Sequence, residues 1–396
     1  MNFKHFCILA ATMCAAYGCD GKKSLTVTVG NSLDFDRENE TVEIPLSSIG
    51  GKLTGANLYV TESNGNEIPS QITSDSMLIF QASVPAGGEA VYRIYADDKA
   101  HSYDTVACGR VHPEREDDLA WENDLAGFRA YGPSIQRKGE RLFGYDIFFK
   151  HPNLTPVLDT LYGAQCSHEN WRKVDSLRRI DPQAAKDFEN SFTYHRDHGL
   201  GMDCYAVGPT LGAGASAIVV DGKMAMPWCY DSVAVTDNGP IRFRAEMYFA
   251  PRAAGSDSAV TETRTMILDA GTMLNRCIVT YGGISADSIT VATGFPRRDD
   301  YSTLLDPNGT LAYGDPTQGD DNGRALLGIV APAFDSVAEA EGHVLGYRTI
   351  PAGAPFEYRW GFAWDRGPVG DFDSWTKALD NSRRAAAAPL TVAVSE

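Results

Sequence analysis

The chain has 396 residues, is 43% hydrophobic and 22% charged, and carries 38 glycines and 20 prolines. That describes a globular protein too long for one small core, suiting two domains or one large β domain with an appendage. The formal charge of −17 argues against nucleic acid or an anionic membrane surface as a partner, but a local arginine cluster still admits an acidic substrate.

Residues 1–18 read as an export signal. Lys4 and His5 make a basic start, and Phe6 to Ala16 supply an apolar run too brief to span a bilayer. Ala16-Tyr17-Gly18-Cys19 resembles a bacterial lipobox, which makes Cys19 the lipidated first residue; a plain cleaved signal is the alternative. Residues 19–24 are then a tether. The protein is expected outside the cytoplasm, periplasmic or surface-facing, joined to the outer membrane only through lipid on Cys19. Cys108, Cys166, Cys204, Cys229 and Cys277 form no CxxC pair, so they read as small buried apolar residues.

Residues 25–97 carry period-two apolar runs. Leu25, Val27 and Val29 alternate with threonines, Asn64-Gly65-Asn66 and Pro85-Ala-Gly-Gly88 mark turns, and Val91 to Tyr95 follows. The pattern predicts a small β-sandwich with no histidine and no convergent polar cluster, hence a structural or docking role. Residues 98–111 read as a connection, and 112–396 as a large domain. Asp181-Pro182 opens a short helix to Phe188, and Asp373 to Ala387 is the strongest helix. Elsewhere β pattern dominates. In Ile241 to Phe249 the odd positions predict one buried face, and Tyr358, Trp360, Phe362 and Trp364 share a face that reads as core before sugar platform. Pro389 to Val394 closes as a strand. The expected class is all-β with few short helices: a small N-terminal sandwich plus a large antiparallel β-supersandwich with a concave cleft.

The most chemically loaded stretch is Phe192 to Tyr205. It crowds Tyr194, His195, Arg196, Asp197, His198, Asp203 and Tyr205 around Gly199 and Gly201, which favour a tight turn over a helix. Histidine titrates near neutrality and suits proton abstraction and return. Asp197 or Asp203 then orients an imidazole, and Tyr194 or Tyr205 donates to a leaving oxygen; a hydrogen-bonded structural turn is the bland alternative. No cofactor is required. A divalent metal on His195, His198 and Asp203 remains open, although the spacing is common by chance. Asp315 to Gly323 misses the regular calcium-loop spacing and reads as a surface turn.

A second group is Trp121, Glu122 and Asn123 with Arg129 and Tyr131, residue types that stack on sugars and fork onto hydroxyls or carboxylates. A buried tryptophan beside an acidic turn explains them equally well. Arg242, Arg244, Arg297, Arg298 and Lys150 are candidates to anchor a carboxylate. No P-loop, nucleophile elbow or thiol-nucleophile signature is present.

Four motifs are familiar together: Pro113-Glu-Arg-x-Asp-Asp-x-x-Trp-Glu-Asn-Asp124, Phe128-Arg-x-Tyr-Gly-Pro133, Tyr194-His-x-Asp-His-Gly-x-Gly-x-Asp203 and Asn238-Gly-Pro-Ile-Arg242. They resemble the domain-of-unknown-function family 4861 from Val111 to the C-terminus, and the leading sandwich looks like that family's N-terminal part. The resemblance implies secreted or lipid-anchored proteins of polysaccharide-degrading bacteria. It also implies genes clustered with uronate-polysaccharide utilisation and, for one relative, dehydration of oligosaccharides from a sulfated algal polysaccharide. Such sandwiches resemble mutarotase-like and polysaccharide-lyase folds. The expectation is a lyase or dehydratase on uronate oligosaccharides. His195 or His198 would be the base, Arg129, Arg196 or Arg244 would neutralise the carboxylate, and Tyr194 or Tyr205 would be the acid. A surface glycan-binding lipoprotein without turnover is the alternative, with a hydrolase or epimerase-like enzyme between the two.

Overall fold

A computed structural model describes residues 23–154, 156–300, 302–319 and 321–396; the expected export signal, Cys19 and most of the expected tether lie outside that range. The chain is mostly β, and every paired strand among the described residues is antiparallel. No helix there is long and apolar enough to cross a membrane.

Alternation builds the small sandwich. Leu25, Val27 and Val29 are buried while Thr26 and Thr28 are half-exposed, as a pleated strand with one covered face demands. The strand Ser24–Gly30 pairs with Glu89–Asp97, which pairs with Asn57–Glu62. A three-stranded sheet of Arg37–Pro45, Met77–Val84 and Ser70–Ile72 faces it. Val27, Ile44, Val60, Phe80 and Ile94 fill the space between. Each buried side chain of this size contributes about 1.5–3 kcal/mol.

The closing strand departs from the expected boundary. Thr391–Ser395 lies along Ser24–Gly30, with Val394 opposite Val27, so the chain's end belongs to the small sandwich. The preceding helix, Phe372–Ala387, buries Trp375 and Leu379 against the large sheet. Arg37 then holds the Ala388 carbonyl at 3.0 Å and turns the chain homeward.

The large part holds an eight-stranded sheet and two five-stranded sheets. Ile241, Phe243, Ala245 and Met247 are buried as the alternation predicts. Arg242 on the other face is buried too, paired with Asp269 at 2.6 Å and Glu43 at 2.7 Å. Tyr358, Trp360 and Phe362 are core, with Trp360 stacked on Tyr145 at 4.4 Å. Trp364 is half-buried at the end of that stripe. Gln71 joins the two parts, accepting from the Ile241 and Arg242 amides and donating to the Arg242 carbonyl at 3.0 Å.

Asp181 caps the helix Pro182–Asn190 through the Gln183 and Ala184 amides, as expected. Two further helices, Leu158–Gln165 and His168–Arg178, were not anticipated. The second buries only Val174, so its sequence lacks an apolar stripe. The five cysteines beyond residue 22 are free thiols, with Cys204, Cys229 and Cys277 buried.

Candidate active site

The sheet ordered Gly201–Met202, Tyr145–Lys150, Ala126–Ala130, Asp118–Glu122, Cys108–His112 carries the central stretch. One face sends Leu119, Trp121, Phe128, Ile147 and Phe149 into the main core. The other presents Asp118, Glu122, Arg129, Asp146 and Lys150, all buried. A buried charge is tolerated only with a partner. Arg129 lies opposite Asp146 in register and donates to it from Nε at 3.1 Å. Its Nη2 donates to Asp203 at 2.8 Å, and its Nη1 reaches the Tyr194 hydroxyl at 3.3 Å. Tyr131 donates to Asp146. Asp118 stands 3.4 Å from Arg115 and 3.9 Å from Arg129. At the far end Lys150 pairs with Glu122, which accepts from the Val157 and Leu158 amides at 2.9 and 2.8 Å and so caps the helix Leu158–Gln165.

Burial governs the titration of this network. It pushes Asp118 up to about 6 although Arg129 and Arg115 pull the other way. Asp203 is raised by burial in the same manner, with Arg129 opposing. Burial works against the charge of Arg129, yet Asp146, Tyr131 and Asp203 hold it well above its ordinary value.

The central stretch closes as a loop on this base. The Asp203 amide donates to the Tyr194 carbonyl at 2.8 Å and pins the two ends. Asp197 folds inward and accepts from the Gly199 and Gly201 amides at 2.8 and 3.1 Å. Gly201 has φ +118°, and a Cβ there would collide with the Phe149 carbonyl, so only glycine fits. The loop's histidines stay outside. His195 Nδ1 lies 2.8 Å from the Asp203 carbonyl oxygen, and its ring rests edge-on against Tyr194 at 4.7 Å. A nitrogen facing a carbonyl carries the proton, which leaves Nε2 as the basic nitrogen of a side chain 53% exposed. His198 is held through Nε2 to the Thr193 carbonyl at 3.2 Å, which leaves Nδ1.

Sequence reasoning missed His151; Trp364, read as core before sugar platform, stands half-buried beside it. His151 Nε2 meets Asp197 Oδ2 at 2.7 Å, and its ring lies 5.9 Å from Trp364. Asp197 therefore orients an imidazole, but that of His151. Burial raises the Asp197 carboxyl, and His151 with the two glycine amides outweighs it and holds the group below its usual range. The only signal for His151 was its place directly after a charged strand end.

The chain leaving the loop meets an arginine. Arg298 donates to the Ala206 carbonyl, pairs with Asp315, and stands 5.2 Å from the Tyr205 ring centre. Residues 203 to 206 span at most about 11 Å, so His195 and Arg298 grip the same short segment. Arg297 instead pairs with Asp300 and with Glu339 at 3.2 Å. Burial pushes Asp315 up to about 7 against the pull of Arg298, and its Oδ1 has no hydrogen-bond partner.

Most residues expected to touch substrate are foundation. Trp121, Glu122, Asn123, Arg129, Tyr131, Lys150, Asp203 and Tyr205 are all buried. Trp121 donates to Asn275 at 2.7 Å, and Asn123 holds the Asp269 and Thr272 carbonyls at 2.7 Å. Arg129 neutralises Asp146 and Asp203 and has no exposed face for a ligand carboxylate. The Tyr194 and Tyr205 phenols are raised by burial and do not reach the surface as proton donors. Arg196 is exposed and leans on Asn190 at 3.0 Å. Arg244 sits at the joint with the small sandwich, bonded to Glu246 at 2.7 Å.

No group of three or more His, Cys, Asp or Glu among the described residues is arranged to hold a metal. His195, His198 and Asp203 do not converge as ligands, because Arg129 takes the Asp203 carboxylate and separate carbonyls take the rings. Neither a recess of about 250 Å³ beside Tyr131, Trp228 and Arg264 nor one of about 500 Å³ on the small sandwich includes His195 or His198.

The fold and site define a mostly β protein with exposed imidazoles set on a buried carboxylate–guanidinium base. The chain belongs to the family described as domain of unknown function (DUF4861), which matches residues 29–392 and so takes in the small sandwich as well. Uncharacterized protein P7 of Formosa agariphila is 27% identical over 319 residues, 77% of this chain and 75% of its own. Two solved structures from Enterococcus faecalis are similar at 10% identity over 94% of this chain. One is a protein in glycosyl hydrolase family 38, with TM-score 0.48, and the other an alpha-mannosidase, with TM-score 0.47. The matched part is 47% and 46% of those chains, less than half their length.

Proposed function

We propose that the protein is a carbohydrate-active enzyme that works by elimination, a lyase or dehydratase on uronate-containing oligosaccharides. The observation that carries this is the fixed tautomer of His195: its Nδ1 is committed to the Asp203 carbonyl, and its half-exposed ring offers Nε2 as a base. Elimination needs a base, a neutralised carboxylate and an acid for the departing oxygen. His195 Nε2 takes the proton from the carbon beside the carboxylate. The C–H electrons form the carbon–carbon double bond and the neighbouring C–O bond breaks. His198, in its imidazolium form, gives the leaving oxygen its proton, and an alcohol or water departs. Arg298, partly exposed beyond Ala206, neutralises the carboxylate, and Trp364 offers an aromatic face to a sugar ring. The reaction so written uses side chains alone. Export and a lipid on Cys19 would place it outside the cytoplasm, and the resemblance to uronate-polysaccharide utilisation proteins supports the substrate class.

Purified protein incubated with uronate oligosaccharides should raise near-ultraviolet absorbance, or yield products lighter by one water. Arg298→Ala should raise KM by about tenfold or more, the loss of a charge-assisted contact. Cleavage that gives saturated products only would make it a hydrolase and end this reading. One feature favours a glycan-binding protein without turnover: His195 stands on open surface and lines neither recess. That reading predicts unchanged ligand after long incubation and full affinity in the His195→Ala/His198→Ala double variant.

A further inference from the structure

The recess of about 500 Å³ on the small sandwich has its own chemistry. It opens between the strand Asn57–Glu62 of one sheet and Ser70–Ile72 of the other, and the connection closes its side with His101 and Tyr103. Residues 25–97 alone showed no convergent polar cluster; the connection completes one. His101 folds back until its ring stacks on Tyr59 at 4.3 Å and 20°. Its Nδ1 meets Glu67 at 2.9 Å, its Nε2 meets Asp97 at 3.1 Å, and Tyr103 donates to Glu67 at 2.7 Å. With its side chain only 7% exposed, His101 is a fixed wall and not a mobile surface group.

The lining is mixed in a particular way. Leu58 and Leu78 supply an apolar floor, and Ile72, 52% exposed, stands at the mouth. The Asn57 carboxamide makes no side-chain hydrogen bond among the described residues, so its donors and acceptor remain for a ligand. Apolar carbon on one side and a few fixed polar groups on the other suit the C–H face and hydroxyl edge of a single sugar ring. Glu67 and Asp97 behind the wall disfavour an anionic ring. We propose that this recess is a second glycan site, for a neutral pyranose, distinct from the surface at His195. It stands whether or not His195 performs chemistry.

Full-length protein would be titrated with methyl β-galactoside, methyl β-xyloside and glucuronate, followed by calorimetry and saturation-transfer NMR. At least one neutral glycoside should bind with a Kd of about 1–10 mM. Ile72→Trp, which obstructs the mouth, and Asn57→Ala should each weaken it about tenfold with melting temperature unchanged, and His195→Ala should leave it intact. The proposal is overturned if no neutral glycoside binds at ~50 mM, if binding survives both small-sandwich variants, or if His195→Ala removes it. Wild-type protein that binds the neutral glycoside but yields no elimination product would count against the role of His195 alone.

Discussion

Arg129 shows why buried charge is a poor guide to a ligand. Its guanidinium serves Asp146 and Asp203 across 17 and 74 residues of sequence, and none of the three is exposed. Arg129→Leu leaves both carboxylates buried without their cation, and should cost about 3–5 kcal/mol in urea unfolding. Asp315 gives a prediction in pH. Its carboxyl titrates near 7 when folded against an ordinary 3.8, so between those values the folded state holds the extra proton. Stability of the wild type relative to Asp315→Asn is therefore greatest in acid and falls as pH rises through 7. The difference between pH 5 and pH 8 should reach about 2–3 kcal/mol, at about 1.4 kcal/mol for each pH unit between 5 and 7. A difference that stays level across that range would contradict the assignment.

At the scale of elements, the reading of the sequence succeeded where a pattern is local. Alternation marked Ser24–Gly30 and the buried face of Ile241 to Met247, and Asp181 with Pro182 marked a helix start. It failed where the partner is distant. The helix Leu158–Gln165 takes its cap from Glu122 on a strand, and no neighbouring residue announces it. The motifs of the site were legible, but which strand face each residue took was not. Trp121 and Arg129, both grouped with sugar-binding residues, lie on opposite faces of one sheet, in the core and in the buried network. Gly201 ties sequence to element most tightly. Gly201→Ala should part Gly201–Met202 from Tyr145–Lys150, cost about 1–3 kcal/mol and displace the Asp203 carbonyl from His195. Activity should then fall more than stability alone explains, which rate and unfolding measurements on one preparation would show.

Across the whole molecule, the two ends of the described chain meet. Removing residues 391–396 strips an edge from Ser24–Gly30 and exposes its unpaired backbone. Limited proteolysis of that truncation should cut the small sandwich first and spare the large part, whose sheets do not use the strand. The site belongs to the large part, so its chemistry should outlast the damage. The imidazole held by Asp203 is the proposed base, and mass analysis of products from a uronate oligosaccharide, with wild type beside His195→Gln, tests that role most directly. The wild type should release unsaturated or dehydrated sugar, and the variant should be slower by about 10²–10⁴ with KM little changed. Equal rates in the two proteins, or products that have gained water, would contradict it.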